Sequence, residues 1–432
     1  MNLYFTGHGE KYAVEQTLLT LFPQERPVYP DTPPGGDNEL ELSFSRGKTW
    51  CTARATLRRE GRTYTRQCRV QTSQLPQDDP VVATRLTRRT LQRAFYLAAV
   101  DCLGAEPPWG MLSGVRPVKL PTRALAAGAT PAQAEGMLRD QYHVSPLRRH
   151  LAVACAQASR AVQASLAPQE ISLYVGIPFC PTRCAYCSFI SAAGSANRLI
   201  PQYLEALLTE IDAAGAAARQ AGKTVRAVYI GGGTPTTLEA DQLARLLERV
   251  GTAFALAPGT ECTVEAGRPD TITREKLLAI RAGGGNRISV NPQTMSDPVL
   301  AAIGRSHRAA DIRRAYALAR EVGGLAINMD LIAGLPGDTP QGFRQTLEEV
   351  MALAPENLTV HTLALKKGAR LRQEDTPLPT GNQVAAMLDD AWAALEAGDT
   401  PPTTSTGRSS CPAPWKTWGG PAPATSTSTT SA

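Results

Sequence analysis

No uncharged apolar run in this 432-residue chain approaches the roughly 18 residues that a membrane-spanning helix needs. The opening Met1-Asn2-Leu3-Tyr4-Phe5 has neither the basic nor the apolar region of a signal peptide. The expectation is therefore a soluble, cytoplasmic protein with no membrane partner. Charge of one sign is also scarce. Lys plus Arg number 45 against 39 Asp plus Glu, and a net +6 over this length is too weak to argue for nucleic acid. The nine cysteines are an odd number without an export signal, which argues against a disulfide scaffold. With 43% hydrophobic and 19% charged residues, the chain is not wholly disordered. It is also longer than a single compact domain usually grows, so two or three domains are expected.

Residues 1–165 read as one α+β region. Segment 39–44 alternates polar and apolar, as a half-buried strand does. Segments 50–57 and 63–70 can pair around a Glu60-Gly61 turn. Leu86, Leu91, Phe95 and Leu103 recur on one face of a helix over 80–103. Arg54, Arg58, Arg59, Arg62, Arg66 and Arg69 read as a solvated strand surface, since no nucleic-acid motif accompanies them. From about residue 170, short apolar runs at 171–175, 225–230, 261–266, 287–291, 325–332 and 357–363 alternate with amphipathic helical stretches. Six β-α units in a row predict a parallel sheet with helices outside, curled by right-handed crossovers into a barrel or partial barrel. In such folds the chemistry sits at the carboxyl ends of the strands. The tail over 401–432 draws 20 of its residues from Ser, Thr and Pro and has no Leu, Ile, Val, Asp or Glu. It cannot build a core and is expected to be disordered.

Six cysteines are scattered and read as small buried hydrophobes. The other three are clustered in Cys180-Pro181-Thr182-Arg183-Cys184-Ala185-Tyr186-Cys187, directly after the first barrel strand. Three thiolates on one loop are soft ligands for iron or zinc. A structural zinc site wants four ligands, and the closest histidines, His143 and His150, lie across the domain boundary. Three ligands suit a cubane iron–sulfur cluster with one iron left open.

This C-x₃-C-x₂-C run, preceded by Tyr174-Val175-Gly176-Ile177-Pro178-Phe179, resembles the radical S-adenosylmethionine (SAM) enzymes. The resemblance implies a partial TIM-like (β/α)6 barrel over 166–398. It also implies a 4Fe–4S cluster on Cys180, Cys184 and Cys187, and SAM chelating the open iron. In that family an electron from the cluster splits the sulfonium and releases a 5′-deoxyadenosyl radical. Tyr174 and Tyr186 beside the cysteines, and Gly232, Gly233 and Thr234 of the glycine run after the second strand, fall at the cofactor in the family. Glycine N–H groups there can hold a carboxylate, and in the family this element meets the methionine amino end of SAM. Glu265, Gln293, Arg305, Asp330 and Ala364 fall at or after strand ends in positions where the family contacts SAM. Asp330 and Glu265 suit ribose hydroxyls or the ammonium, and Arg305 suits the carboxylate. No residue is assigned a catalytic role.

Within the superfamily the chain is most similar to oxygen-independent coproporphyrinogen III oxidases of the HemZ-like branch. The likeness rests on Gly176 where other branches carry His, and on Ile288–Met295, Val360–Lys367 and Trp109-Gly110 with Gly114–Lys119. It implies oxidative decarboxylation of two propionates of a porphyrinogen substrate to vinyls, with an electron donor such as flavodoxin or ferredoxin. Two features depart from the family. Ser188-Phe189 follow Cys187 where the established oxidases carry a further Cys, and the haem chaperones of the superfamily share that Ser-Phe. The likeness also stops near Thr400. The tail over 399–432 then reads either as an out-of-frame segment that leaves porphyrin turnover crippled or as a natural flexible tail. A haem-binding chaperone is the rival function.

Overall fold

The computed structural model describes every residue except 33–34, 77, 113–115, 190, 366–367, 375, 399–403, 408–415 and 422–432, and gives backbone alone for 404–407 and 416–421. Gly114, Val115, Lys366 and Lys367, which carried part of the resemblance, and most of the tail lie outside the described residues. The chain divides into two units, Met1–Val153 and Ala154–Thr406.

The first unit comprises β1 (Asn2–Thr6), α1 (Lys11–Leu21), β2 (Glu39–Arg46), β3 (Trp50–Arg59), β4 (Arg62–Gln71), α2 (Pro80–Leu103), α3 (Lys119–Ala126) and α4 (Pro131–Tyr142). The division falls inside α5 (Pro146–Ser165), where the sequence placed it at that helix's end. Its sheet runs β1-β2-β3-β4. The β3–β4 hairpin closes through Glu60 and Gly61, both at positive φ as a tight hairpin turn requires. Alternation puts Leu40 and Leu42 of β2 and Ala53, Ala55 and Leu57 of β3 on one face, fully buried with Leu91, Ala94 and Phe95 of α2. Asp79 caps α2 by accepting from the N–H groups of Val81 and Val82, Pro80 opens the helix, and Gly104 ends it in the left-handed region. The sequence did not announce β1. It pairs parallel with β2, residue 2 against 39 through 6 against 43, and local periodicity carries no trace of so distant a partner.

The second unit begins with β5 (Glu170–Ile177), the short β6 (Phe179–Cys180) and β7 (Ala192–Ala193), and α6 (Ile200–Gln220). Then come β8 (Thr224–Gly232), α7 (Ala240–Phe254), β9 (Glu261–Glu265), α8 (Arg274–Ala282), β10 (Arg287–Ser289), α9 (Asp297–Ala302) and α10 (Ala309–Val322). It continues with β11 (Ala326–Ala333), α11 (Pro340–Ala352), β12 (Asn357–Thr362), α12 (Arg370–Gln373) and α13 (Gly381–Ala397). Strands β5, β8, β9, β10, β11 and β12 are parallel neighbours in that order. The order is linear, so the barrel is open, as expected. In the tail only backbone is described, as β13 (Thr404–Gly407) and β14 (Lys416–Pro421), with β14 antiparallel beside β12.

The two faces of this sheet differ in chemistry. One set of alternate residues, among them Val175, Ile230, Val264, Ile288, Met329 and Val360, is apolar and buried. The other set, on the inner face, is largely polar: Tyr174, Tyr229, Glu265, Ser289, Asp330 and His361. The six-strand barrel therefore has a polar, partly open interior rather than the packed apolar layers of a closed eight-strand barrel. Among the described residues no helix is long and apolar enough to cross a membrane.

The outer helices pack side by side, and α6 meets α7 at Gly215. A Cβ there would lie 2.8 Å from the carbonyl carbon of Ala253 and press on its oxygen, which also accepts from Arg219. Gly215→Ala gains about 1 kcal/mol of helix propensity. It also overpacks a rigid backbone contact at about 1–3 kcal/mol. The second term wins because main chain cannot swing aside as a flexible side chain does. The urea midpoint of the variant is expected to fall; a rise would show that the two helices part without cost.

Candidate active site

The parallel strands all end at one side, and the cysteine loop starts there. Cys180, Cys184 and Cys187 are free, half-buried thiols. The loop is held from several directions. Ala185 donates its N–H to Ile303 (2.9 Å) and accepts from Leu371 (3.0 Å). Asn197 donates to the carbonyl of Cys180 (3.3 Å), and the Thr234 hydroxyl donates to Cys180 Sγ (3.5 Å). Arg183 reaches the carbonyl of Gly368 (3.2 Å).

Two buried arginines brace the same loop. Arg268, 2% exposed, donates through Nη1 to the carbonyl (3.2 Å) and hydroxyl (2.6 Å) of Thr182. Its other nitrogens hold Asp270 in a two-point pair (3.0 and 2.9 Å) and Ser306 Oγ (3.1 Å). Burial raises the Asp270 carboxyl, but the nearby His307 ring (3.6 Å) and the hydrogen bonds from Arg268 outweigh it and hold it well below the usual carboxylate range. Arg305, 8% exposed, donates to the carbonyls of Gly267 (3.2 Å) and Asn291 (3.4 Å) and to the Tyr186 hydroxyl (3.0 Å). Burial pushes the Tyr186 phenol up, against the opposing charge of Arg305.

The glycine run lies against the first cysteine. A Cβ on Gly233 would sit 2.5 Å from the Phe179 carbonyl oxygen and 2.9 Å from Cys180 Sγ, so only glycine lets the cysteine strand in. Gly232 has φ +117, a backbone that side chains disfavour. The N–H groups of this run do not stand free for a ligand carboxylate, contrary to the expectation. Gly233 and Thr234 donate to Ile177 (2.8 Å) and Phe179 (2.7 Å), and Gly232 donates to Glu265 Oε2 (3.2 Å). The reason is proximity: the end of β5, the strand that carries Cys180 and the Glu265 carboxylate lie against the run and take one donor each. Arg305 is partly engaged as a brace: Nη1 donates to two carbonyls and Nη2 donates one of its two N–H groups to Tyr186, while the buried Nε is without a partner among the described residues.

The remaining expected residues do gather at the strand ends. Gln293 sits in the left-handed region (φ 69), bridges Asp330 and Ile332 through its backbone, and leaves its buried Oε1 without a partner. Such strain with an orphaned polar atom is typical of a ligand site. Asp330 accepts from Asn328 (2.8 Å) and lies 3.6 Å from His361 Nε2. Glu265 accepts from the Tyr229 hydroxyl. Burial pushes its carboxyl up, the Tyr229 bond opposes this, and the charge of Asp330 adds to it. Tyr174, 62% exposed, stacks on Tyr229 at 6.0 Å and 12°. Ala364 is half-buried just past β12.

The sequence reading missed Tyr229, His361, Arg268 and Thr182. Period-2 alternation through Tyr174 and Glu265 would have found the first two, which share their face. Nothing local marks Arg268 as a brace, since its partner Thr182 lies far away in sequence.

Three soft thiols on a braced loop, an unpartnered Gln293 oxygen and a glycine cradle against Cys180 Sγ fit a sulfur-held metal group and a polar organic cofactor. Among the described residues no group of three His, Cys, Asp or Glu is placed to hold a single metal ion. Residues 174–350 match the radical SAM superfamily. The chain is 38% identical over 297 residues to the oxygen-independent coproporphyrinogen-III oxidase-like protein HemZ of Bacillus subtilis, covering 67% of this chain and 59% of that protein. It is 32% identical over 231 residues to the heme chaperone HemW of the same organism, covering 52% and 60%. Among solved structures it is similar to coproporphyrinogen III oxidase (HemN) of Escherichia coli, titled a radical SAM enzyme, at 32% identity and TM-score 0.50 over 56% of each chain. The chain spans about three fifths of the length of the curated relatives named here. The open barrel and its cysteine loop are thus a radical SAM domain. Within that superfamily the chain belongs to the HemN/HemZ family, whose membership implies a 4Fe–4S cluster and SAM.

If Arg268 braces the loop for its metal group, Arg268→Lys and Thr182→Val should each speed loss of reconstituted iron to a chelator several-fold. The double variant should do little more than either alone, because the two share one contact. Additive effects would separate Arg268 from the loop.

Asp338, in the turn after β11, is buried, with Oδ1 accepting from the Thr339 N–H (2.8 Å) and Oδ2 unpartnered. Burial pushes its carboxyl up to about 6, against that hydrogen bond. An unfolded Asp titrates near 4, so between these values the folded chain holds a proton that the unfolded chain has lost. This contribution is full below about 4 and lost as pH rises through 6, at most about 3 kcal/mol. Asp338→Asn should therefore stabilise the chain more at pH 8 than at pH 5 in urea unfolding. An equal gain at both would mean the carboxyl titrates normally.

Proposed function

We propose that the chain is a radical SAM oxidoreductase of porphyrin metabolism that decarboxylates two propionates of coproporphyrinogen III to the vinyls of protoporphyrinogen IX. The observation that carries this reading is the inner face of the barrel, where Tyr174, Tyr229, Glu265, Asp330 and His361 surround the side on which the cysteine loop sits. Cys180, Cys184 and Cys187 would hold the cluster. When bound, cluster and SAM together supply a one-electron cleavage and an organic radical able to take hydrogen from a propionate. The protein's share is binding and orientation. Gln293 offers a desolvated acceptor, Glu265 and Asp330 suit ribose hydroxyls or an ammonium, and the exposed Tyr174–Tyr229 stack offers a flat apolar surface to a ring. His361, half exposed beside Asp330, can donate to a substrate carboxylate. The first electron would come from a donor such as flavodoxin or ferredoxin; carbon dioxide would leave from each propionate, an electron acceptor would take the remaining electron, and the working place would be the cytoplasm.

A second reading, a haem-binding chaperone of the same superfamily, is favoured by Phe189, 58% exposed just after Cys187 and Ser188, and by the HemW likeness. An anaerobic assay that follows 5′-deoxyadenosine and porphyrin product together separates the two. Coproporphyrinogen III is expected to yield divinyl product, with Asp330→Ala losing at least tenfold in SAM affinity by titration calorimetry. Haem bound and passed on, with no divinyl product from the reduced cluster-loaded chain, would leave the chaperone reading in its place.

A further inference from the structure

The first unit carries a site that the barrel chemistry does not use. Several of its arginines are tied up in ion pairs. Arg58 pairs with Glu39 and Glu41, Arg59 with Glu25, Arg66 with Asp101, Arg88 with Glu10 and Arg139 with Asp140. Among the described residues, no carboxylate pairs with Arg69, Arg85, Arg89 or Arg93. These four line two adjoining cavities along α2.

The first cavity, about 740 Å³, lies between α2 and the edge strand β4 and is lined by Arg69, Arg89 and Arg93. The second, about 670 Å³, holds Arg85 and Arg88, and the two share Arg89. Both volumes fall in the range of ligand pockets. No Asp or Glu lines either one. Burial pushes the Cys68 thiol up, so it adds no negative charge to the first. Val70, Leu86 and Leu97 give that cavity an apolar wall.

The cations are also placed, not merely present. Arg89 lies over the Tyr142 ring at 5.0 Å, which orients its guanidinium. Arg93 Nε is shut off from solvent with no hydrogen-bond partner among the described residues. The acid that feels its charge, Asp140, is already held by Arg139. Arg85, Arg89 and Arg93 repeat every fourth residue, so on α2 they repel one another. An anion in the trough relieves that repulsion. Guanidinium forks match carboxylate and phosphate oxygens two at a time.

We propose that this trough binds an organic polyanion, a molecule with two or more carboxylates or phosphates on an apolar or aromatic body. Tetrapyrrole propionates and nucleotide phosphates share this chemistry, and two probes tell them apart: coproporphyrin III and ATP. Each is titrated into the full chain, free of cluster, at low salt. Arg69→Glu and Arg89→Glu are compared with Arg62→Glu, an exposed arginine of the same strand that lines neither cavity. Urea unfolding checks that all three fold alike. Arg69→Glu, on the exposed edge strand, keeps the test decisive should Arg89→Glu fold poorly. At least one probe is expected to bind, at least tenfold more weakly to the two trough variants and within twofold of wild type to Arg62→Glu. Binding of coproporphyrin III alone would identify a tetrapyrrole source, and of ATP alone a nucleotide one. No binding of either probe, equal loss in all three variants, or affinity unchanged in the trough variants would each overturn the proposal. The test does not depend on porphyrin turnover, so it fails or succeeds apart from the proposed function.

Discussion

A loop bearing three cysteines can serve a metal group only if its backbone is held before the group arrives. Here the hold comes from charge placed where charge is expensive. Arg268 and Arg305 are both nearly sealed from solvent; Arg305 spends its bonds on main-chain carbonyls and a hydroxyl, and Arg268 on a carbonyl, two hydroxyls and the Asp270 carboxylate, each gathered from three separate segments. A buried cation left unpaired costs several kcal/mol, so these segments are locked to one another as long as the chain is folded. The cysteine loop, the turns after β9 and β10 and the segment before α10 therefore form one braced unit.

Glycine is the second half of that constraint. The strand carrying Cys180 passes so close to Gly233 that a single added carbon would collide with both its carbonyl and the first sulfur. The donors of the run are then consumed by the end of β5, by that strand and by Glu265. A ligand at this point meets side chains and carbonyl oxygens, not a ring of N–H groups. An ammonium, which only donates, suits such a surface better than a carboxylate does.

The open barrel follows from the same economy. With six strands instead of eight, the inner face is left partly exposed. It is furnished with tyrosines, carboxylates and an imidazole that a closed, filled barrel could not hold. Tyr229 and Glu265 both feel the charge of Asp330, and Glu265 that of His361, across the sheet. That coupling exists only because the parallel register brings their strand ends level.

Much of this was legible in the residues. The alternation of apolar runs with amphipathic helices placed all six barrel strands within a residue or two of where they lie, because burial on the outer face imposes period 2 on strands and period 3.6 on helices. The spacing of Cys180, Cys184 and Cys187 named the loop; Glu265 closes β9, Gln293 and Ala364 follow β10 and β12, and Asp330 lies in the carboxyl half of β11. What the linear pattern left open were the partnerships. The parallel pairing of β1 with β2, the consumption of the glycine donors by β5, the cysteine strand and Glu265, the use of Arg305 as a brace and the meeting of Arg268 with Thr182 all join residues remote in sequence. Periodicity and motif spacing record what a residue needs from its immediate surroundings. Which group supplies it across the fold is settled only when the strands and loops close on one another.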